Sequence, residues 1–287
     1  MELSVTAGRS GRLSTFLKGE LGLSTGLMNR LKWNDRILVN GVPRHADFPV
    51  AEGDVITALL DDEVPAYPAE EGSLRILYED DHLLAVDKPA GILIHPSRSR
   101  DSGTLANFVV YYYQQTGQKS AFHPVTRLDR DTFGVVLLAK NAHVHAAMNT
   151  LHAQGGIRKT YHALVFGTPE PDSGTIDAPI ARLPLPSLLR RVDPAGKPSV
   201  TEYRVLERRE HCSLLELRPI TGRTHQLRVH CSHMGFPILG DPQYGSPESM
   251  ELSRQLGLES QLLCAQKLEF IHPVTGEPLR LDSEYGI

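Results

Sequence analysis

The sequence has few cysteines, little net charge and no long apolar run. Its three cysteines, Cys212, Cys231 and Cys264, are too far apart for a zinc pair or a redox Cys-x-x-Cys motif, and scattered thiols in odd number are typical of a reducing cytosol. No apolar run approaches the roughly 18 residues of a membrane-spanning helix, and the N-terminus has no apolar signal-peptide segment. We therefore expect a cytoplasmic protein without a membrane partner.

The near balance of charge argues against nucleic-acid binding by the whole-molecule field, and the histidine spacing argues against a metal site. Among 287 residues, 30 Lys and Arg nearly balance 34 Asp and Glu, so the net charge is −4. Any nucleic-acid binding must then depend on local basic patches rather than on the field of the whole molecule. His225, His230 and His233 lack an acidic or thiolate partner at ligand spacing. We expect these histidines to be hydrogen-bonded and predict no metal site.

Residues 1–60 are predicted to form a small unit of two helices and a hairpin. Apolar residues from Leu13 to Leu21 have helical spacing, Ser24 is suited to cap a second helix, and Asn40-Gly41 favours a type I′ turn. Between positions 9 and 44, seven Lys and Arg stand against two acids. This basic face is compatible with a solvated helix surface or with a binding surface.

The remaining chain is predicted to be a linker followed by one large domain. Residues 61–72 combine acids and prolines without periodicity, which is typical of a linker. Residues 73–287 contain strand-like runs in series, with helices inserted at two places. That order favours a mixed α+β domain around one sheet over strict βα alternation.

A dense charge cluster stands directly before an uncharged run of six residues at 134–139. The run predicts a strand buried on both faces. The four charges lie within five positions: Arg127, Asp129, Arg130 and Asp131. If 127–132 are extended, Arg127, Asp129 and Asp131 share one face. A carboxylate beside an arginine at a sheet end can act as a nucleophile or a base, although a turn held by surface ion pairs fits the pattern as well.

Three later stretches carry further candidate residues. Leu227, Cys231 and Met234 recur at helical spacing, which places Arg223 at a helix start where backbone N–H groups favour an anion. In the predicted strand 159–167, Tyr161 should point inward as a core tyrosine with a bonded hydroxyl. Residues 188–197 look like a basic loop. Its Arg190 and Arg191 are either phosphate contacts or part of an exposed turn.

Four ordered motifs resemble the RluA-type family of pseudouridine synthases, over nearly the whole chain. They are Arg127-Leu-Asp-Arg-Asp-Thr132 with Gly134, Arg158-Lys-x-Tyr161, Gly222-Arg-Thr-His-Gln-Leu-Arg-Val-His230 and Gly240-Asp-x-x-Tyr-Gly245. Residues 267–277 look like the family's C-terminal block. The N-terminal unit resembles the RNA-binding module of ribosomal protein S-four, although no arginine follows Ser24 as is usual there.

The resemblance implies both a fold and a reaction. The fold is a mixed α+β domain with a mainly antiparallel central sheet and flanking helices. The reaction breaks the N1–C1′ bond of a uridine in RNA, turns the uracil and rejoins it through C5. Redox balance is unchanged, and the sequence has no Gly-rich cofactor loop, so we expect no cofactor. Ribosomal RNA is the first expected substrate and tRNA the second, for a protein expected to be monomeric.

The resemblance also assigns roles to single residues. Asp129 is implied to be the catalytic aspartate, Tyr161 to stack on the uracil and serve as a base at C5, and Arg223 to pair with Asp129. Arg127 is implied to hold open the space of the extruded base. The other expected RNA contacts are Arg130, Arg158, Lys159, Arg190, Arg191, Thr224, His225 and Gln226. The chain departs from the family pattern at Thr126 and Phe133, where His and Ser are common.

Two other interpretations remain open from the residues alone. One is an RNA-binding or ribosome-assembly factor whose catalysis is idle, which the intact motifs argue against. The other is a hydrolase that uses Asp129 and Asp131 on sugars, for which release of free base from RNA would be the signature.

Overall fold

The computed structural model describes residues 2–60, 65–97, 101–184 and 186–287. Residues 2–60 form a unit with its own apolar cluster, which includes Leu13, Leu31 and Ile56. Its sheet has the strand order β1-β6-β3-β4, and β2 pairs with β5. The elements are β1 (Glu2–Thr6), β2 (Gly11–Arg12), α1 (Leu13–Gly19), α2 (Thr25–Trp33), β3 (Ile37–Val39), β4 (Val42–Pro43), β5 (Pro49–Val50) and β6 (Val55–Leu59).

Local signals of the N-terminal unit act as the sequence predicts. The Ser24 hydroxyl accepts a hydrogen bond from the backbone N–H of Leu27 (3.2 Å) and so caps α2. Asn40 and Gly41 both have positive φ, at 50° and 77°, as a type I′ turn between β3 and β4 requires. The sequence analysis missed β1, which pairs antiparallel with β6 and buries Leu3.

Residues 73–287 form a large sheet with helices on its faces. Ten strands have the order β12-β15-β16-β11-β17-β10-β8-β7, with β9 on β10 and β18 on β17. The elements are β7 (Ile76–Glu79), β8 (Leu83–Lys88), α3 (Leu105–Gln115), β9 (His123–Pro124), β10 (Phe133–Ala139), α4 (Ala142–Ala153), β11 (Arg158–Phe166), β12 (Ser173–Asp177), β13 (Ile180–Arg182), β14 (Arg190–Val192), β15 (Val200–Arg208), β16 (Cys212–Pro219), α5 (Gln226–His233), α6 (Pro247–Gln255), β17 (Leu263–Ile271) and β18 (Pro278–Asp282).

The predicted fold class is confirmed, because the sheet is mixed and mainly antiparallel with flanking helices. Among the strand pairs within the described ranges, β10 and β17 alone run parallel. The predicted doubly buried strand is β10, whose residues 134–139 are all buried. Val135 and Leu137 pack in a cluster with α4, whereas Val136 and Leu138 pack in a cluster with α3. A strand covered on both faces explains the uncharged run.

The predicted linker is partly docked. Its residues 61–64 lie outside the described residues, and 65–72 contain no helix or strand. The Asn107 side chain on α3 donates to the Pro68 carbonyl (2.9 Å), and the Gly103 N–H donates to Glu70 Oε2 (2.6 Å). Tyr67 packs edge-on against Phe122 with ring centroids 5.9 Å apart. This stretch therefore runs along the large domain in fixed contacts.

The predicted loop at 188–197 is wrong in part. Arg190–Val192 form β14, which pairs antiparallel with β13. A hydrogen bond from Gly196 N to Asp193 O (2.8 Å) closes the turn that follows β14. Charged residues on a short exposed strand carry no apolar alternation, and the sequence pattern therefore gave no strand signal.

Candidate active site

Asp129 lies in the turn that leads into β10. The backbone N–H of Thr132 donates to the carbonyl of Asp129 (3.2 Å), so the charged stretch turns before the strand begins instead of extending. Leu128 packs against the apolar cluster around α3. Thr126, at one of the two family departures, accepts a hydrogen bond from Leu137 N–H (2.9 Å). The turn is therefore held on both sides of Asp129, and 29% of the Asp129 side chain remains exposed.

Lys88 anchors the same turn from the adjacent strand β8. Its ammonium is completely buried and donates to three carbonyls, those of Pro89 (2.8 Å), Ile92 (2.9 Å) and Arg130 (2.8 Å). Burial lowers the pKa of Lys88 to about 7, and the charges of Asp131 and Asp129 oppose that shift. Because one acceptor belongs to Arg130, Lys88 fixes the backbone directly after Asp129.

Arg228 pairs with Asp129. It lies on α5, is 5% exposed, and its Nη1 donates to Asp129 Oδ2 (3.2 Å). Its Nε and Nη2 hold Asp241 in a bidentate pair (2.7 and 2.8 Å), and Nη2 also donates to Gln243 (2.8 Å). Burial works to lower the pKa of Arg228, but the hydrogen bonds and charge of Asp241, followed by those of Asp129, raise it. The guanidinium is thus a fixed positive charge beside Asp129.

The prediction that Arg223 pairs with Asp129 is wrong. Helix α5 begins at Gln226, preceded by His225 in the left-handed conformation (φ 57°), so Arg223 lies before the helix start. Arg223 is exposed, and its Nε donates to the carbonyl of Pro198 (3.2 Å). The motif Gly222–His230 contains two arginines, Arg223 and Arg228, and it is Arg228 that α5 places in the interior.

His225 and Tyr244 complete the wall beside Arg228. Tyr244 lies 5.0 Å beneath the Arg228 guanidinium in a cation–π contact, and its hydroxyl is 2.8 Å from His225 Nδ1. His225 Nε2 lies 4.0 Å from Asp129 Oδ2. Burial lowers the pKa of His225, and the Asp129 charge opposes that shift. The predicted residue His225 is therefore close to Asp129, as part of this network.

Tyr161 lies on β11 and packs against the cluster that includes Ala163 and Val165, as the alternation of the strand predicted. Burial raises the pKa of its phenol, and the charge of Asp129 raises it further. Tyr161 thus lies on the same sheet as the strand that follows the Asp129 turn, with β17 between β11 and β10.

Of the other charges in the Asp129 turn, Arg127 and Arg130 are exposed, whereas Asp131 is partly buried. Arg130 forms a bidentate pair with Asp131 (both distances 2.9 Å), so this carboxylate is already bound by its neighbour. Arg127 is exposed and borders a cavity of about 420 Å³, together with His145 and His152. Arg127, two residues before Asp129 in the chain, therefore contributes its guanidinium to the wall of this cavity.

Four of the predicted RNA contacts lie on strands β11 and β14. On β11, Arg158 is exposed with Glu269 4.0 Å away, and Lys159 Nζ lies 2.9 Å from His152 Nε2. Arg191 pairs with Asp193 (2.7 Å). Arg190 donates from its guanidinium to the Leu188 carbonyl (2.7 Å), and its backbone N–H donates to the Tyr244 hydroxyl (2.9 Å). Arg190 is therefore linked to the site through Tyr244.

Thr224 and Gln226, both in the motif Gly222–His230, differ in exposure. Thr224 is exposed. Gln226 is buried, accepts from Arg223 N–H (3.0 Å) and donates to Val200 O (2.9 Å). Gln226 therefore holds the entry to α5 and is not free to bind RNA, which contradicts its predicted role as a substrate contact.

Of the three histidines predicted to be hydrogen-bonded, His225 and His230 have such partners, whereas His233 is exposed. His230 is completely buried between Thr201 Oγ1 and the Ala178 carbonyl, both at 2.9 Å. All three cysteines are buried and unpaired. Within the described residues, no group of three or more His, Cys, Asp or Glu is arranged to hold a metal ion. In that part of the chain, no helix has the length and apolar character needed to span a bilayer.

Sequence reasoning missed three residues of this site: Lys88, Arg228 and Asp241. Arg228 and Asp241 belong to the third and fourth of the ordered motifs. The helical spacing of Leu227 and Cys231 could have shown that Arg228 lies on the buried side of α5. Lys88 stood at the end of an apolar strand, which is an unusual position for an exposed lysine. Its carbonyl partners come from backbone positions that no side-chain pattern reveals.

Comparison with known proteins places these residues in one family. Residues 82–233, which include Asp129, Tyr161 and Arg228, match the family described as RNA pseudouridylate synthase. Uncharacterized RNA pseudouridine synthase YjbO of Bacillus subtilis (strain 168) is 37% identical over 265 residues, which is 91% of each chain. Ribosomal large subunit pseudouridine synthase D of Xanthomonas campestris pv. campestris is 38% identical over 232 residues, 78% of this chain and 70% of that relative.

A solved structure agrees with these sequence matches. Human RNA Pseudouridylate Synthase Domain Containing 1 superposes with a TM-score of 0.62 at 27% identity, over 75% of this chain and 86% of the human chain.

Proposed function

Because the chain belongs to the RNA pseudouridylate synthase family, we propose that it isomerises uridines in RNA to pseudouridine with Asp129 as the essential carboxylate. The reaction breaks the N1–C1′ bond, turns the uracil and joins C5 to C1′; C5 loses its proton and N1 gains one, so no atom or electron is gained or lost overall. The observation that carries the proposal is the position of Asp129, 3.2 Å from the buried Arg228 and partly open to solvent. Such a carboxylate can act as a nucleophile or a base.

The residues around Asp129 have distinct roles in this proposal. Arg228 orients Asp129 through a hydrogen bond, and Asp241 keeps Arg228 in place. Tyr161 offers its ring to the extruded uracil. Burial and the charge of Asp129 raise the pKa of its phenol, so the phenol must lose its proton before it can serve as a base at C5. A base reaches these groups only after leaving its stack, and Arg127 at the nearby cavity can occupy the space it leaves.

Ribosomal RNA is the proposed substrate, with tRNA as the second candidate. The support is the name of relatives such as the Xanthomonas protein, a ribosomal large subunit pseudouridine synthase. Residues 2–60 are proposed to act as an RNA-binding module similar to that of ribosomal protein S-four. Their two helices, their hairpin and the excess of Lys and Arg between positions 9 and 44 support this assignment.

The test is to compare Asp129→Asn with Asp131→Asn on RNA from a strain that lacks the gene. We expect the Asp129 variant to lose at least about 10³-fold in the rate of pseudouridine formation, because the reacting carboxylate is gone. Asp131 is already paired with Arg130, so its variant should stay within about tenfold of the wild type. The formed pseudouridines, mapped along the RNA, identify the substrate.

Other outcomes would select a different function. If the wild type forms no pseudouridine in any cellular RNA, and Asp129→Asn restores every defect of the deletion strain, the protein is a binding or assembly factor. If free uracil is released and both aspartates are required, it is a hydrolase.

A further inference from the structure

Trp33 is exposed in a way that the catalytic site does not explain. It is the single tryptophan of the chain, and 80% of its surface is accessible. A tryptophan normally buries most of its large ring, and Tyr and Trp that stay accessible are enriched where they meet a partner. Trp33 lies at the end of α2 in the N-terminal unit, which has an apolar cluster of its own. Its exposure is therefore unrelated to the packing around Asp129.

The helix α2 divides into a buried face and an open face. Met28 and Leu31 are buried, and Leu27 packs partly against the same cluster. The exposed residues recur at the spacing of one helix turn, so they share the other face. These residues, which we call the Trp33 face, are Thr25, Asn29, Arg30 and Trp33. No apolar residue accompanies the ring on this face, and a hydrophobic protein partner would have little to bury there.

The charges next to Trp33 are mainly positive. Lys32 Nζ lies 5.6 Å from the centroid of the Trp33 ring in a cation–π arrangement. Arg30 precedes the ring by one turn and Arg36 follows it, with Asp35 as the one acidic neighbour in sequence. A flat aromatic surface between cations is complementary to a base with its flanking phosphates.

We propose that the Trp33 face binds single-stranded RNA, with one unpaired base stacked on Trp33 and the flanking phosphates held by Lys32 and Arg30. The inference rests on the proposed function for the nature of the partner, and it goes beyond it by assigning a stacking residue outside the catalytic domain. Stacking tolerates any base, so this surface would add affinity without sequence preference. It would hold a substrate strand while a distant uridine enters the site of Asp129.

The single tryptophan makes the proposal directly measurable, because fluorescence excited at wavelengths that tyrosine does not absorb reports on Trp33 alone. The probes are a short oligoadenylate and an adenine–uracil duplex of the same length. The single strand contains no uridine and so carries no substrate for Asp129. We expect the single strand to quench the emission in a saturable way and the duplex to leave it nearly unchanged. Added salt should weaken the quenching through counterion release.

Two substitutions separate stacking from folding. Binding of end-labelled oligoadenylate, measured by anisotropy, should weaken roughly 5- to 150-fold in Trp33→Ala, and should be largely retained in Trp33→Phe because its ring still stacks. The matched control is Leu256→Ala, which removes another exposed apolar side chain from the large domain and should bind like the wild type.

The outcomes distinguish this inference from the proposed function. Saturable quenching with loss of affinity in Trp33→Ala supports the Trp33 face even if no pseudouridine is formed. Unchanged affinity in Trp33→Ala overturns it even if the enzyme is active. Emission that responds to protein concentration and not to oligoadenylate would overturn it as well, since the face would then join two copies of the chain.

Discussion

At the scale of single residues, the chemistry depends on one buried guanidinium that serves two carboxylates. Arg228 holds the fully buried Asp241 through two hydrogen bonds and the partly exposed Asp129 through one. The stronger pair fixes the arginine, and the weaker one leaves Asp129 available to react. A buried charge that loses its partner is costly, so Asp241 ties the stability of the domain to the geometry of its active site.

We predict that Arg228→Met lowers the free energy of unfolding by about 3–5 kcal/mol, because it leaves Asp241 buried without its partner. Arg223→Met is the matched control from the same motif and should change the stability by no more than about 0.5 kcal/mol, since that side chain is exposed. Urea unfolding curves of both variants give the comparison. Equal losses would mean that the motif's two arginines share the structural role.

At the scale of elements, the active-site turn is positioned where a parallel pairing interrupts an antiparallel sheet. Lys88 on β8 faces Gly134 at the start of β10, and Ala265 on β17 faces Gly134 from the other side. Gly134 has φ 108°, and a Cβ there would lie 2.4 Å from the Ala265 carbonyl oxygen. Only glycine allows this approach. The close contact between β10 and β17 therefore fixes where the strand ends and the turn of Asp129 begins.

We expect Gly134→Ala to lower the free energy of unfolding by at least about 2 kcal/mol, from steric overlap with β17 and a disfavoured φ. The rate of pseudouridine formation should fall beyond what the unfolded fraction explains, because the turn must shift. Gly222→Ala, where nothing lies within 4 Å of the added carbon, is the control and should be nearly neutral. Full activity in Gly134→Ala would show that the position of the turn tolerates movement.

At the scale of the whole molecule, buried histidines make the fold sensitive to acid. Burial is the main cause that lowers the pKa of six buried or half-buried histidines: His82, His143, His145, His162, His225 and His230. In the unfolded chain these groups bind protons near pH 6.5, and in the folded chain only at lower pH. Between those values the unfolded state holds more protons, and folding therefore loses stability as the pH falls.

The expected result is a lower urea midpoint at about pH 5.5 than at about pH 7.5, with stability falling as the pH drops below roughly 6.5. His230→Gln should reduce this pH dependence because it removes one buried group, whereas His211→Gln should leave it unchanged because His211 is exposed. A urea midpoint that does not change over this range would contradict the role of the buried histidines.

Local patterns were sufficient for most elements of the fold. The doubly buried β10, the capped α2, the turn at Asn40-Gly41 and the inward face of Tyr161 all follow from spacing, capping and turn chemistry, which act within a few residues. Of the missed strands, the short β14 pairs with the nearby β13 and has no apolar alternation. The edge strand β1 pairs with β6, which is far along the chain, as in Glu2 with Leu59. No local pattern encodes such a pairing.

The sequence by itself pointed to the proposed reacting group, because the charged stretch before an apolar strand and the ordered motifs single out Asp129 and Tyr161. Only the tertiary structure decided which arginine meets Asp129, since that depends on where α5 begins and which side of it faces the sheet. It also decided that Lys88 holds the turn, through backbone carbonyls whose positions exist only in the folded chain. Residue chemistry is a property of the sequence, whereas contact between residues 99 positions apart, such as Asp129 and Arg228, depends on packing.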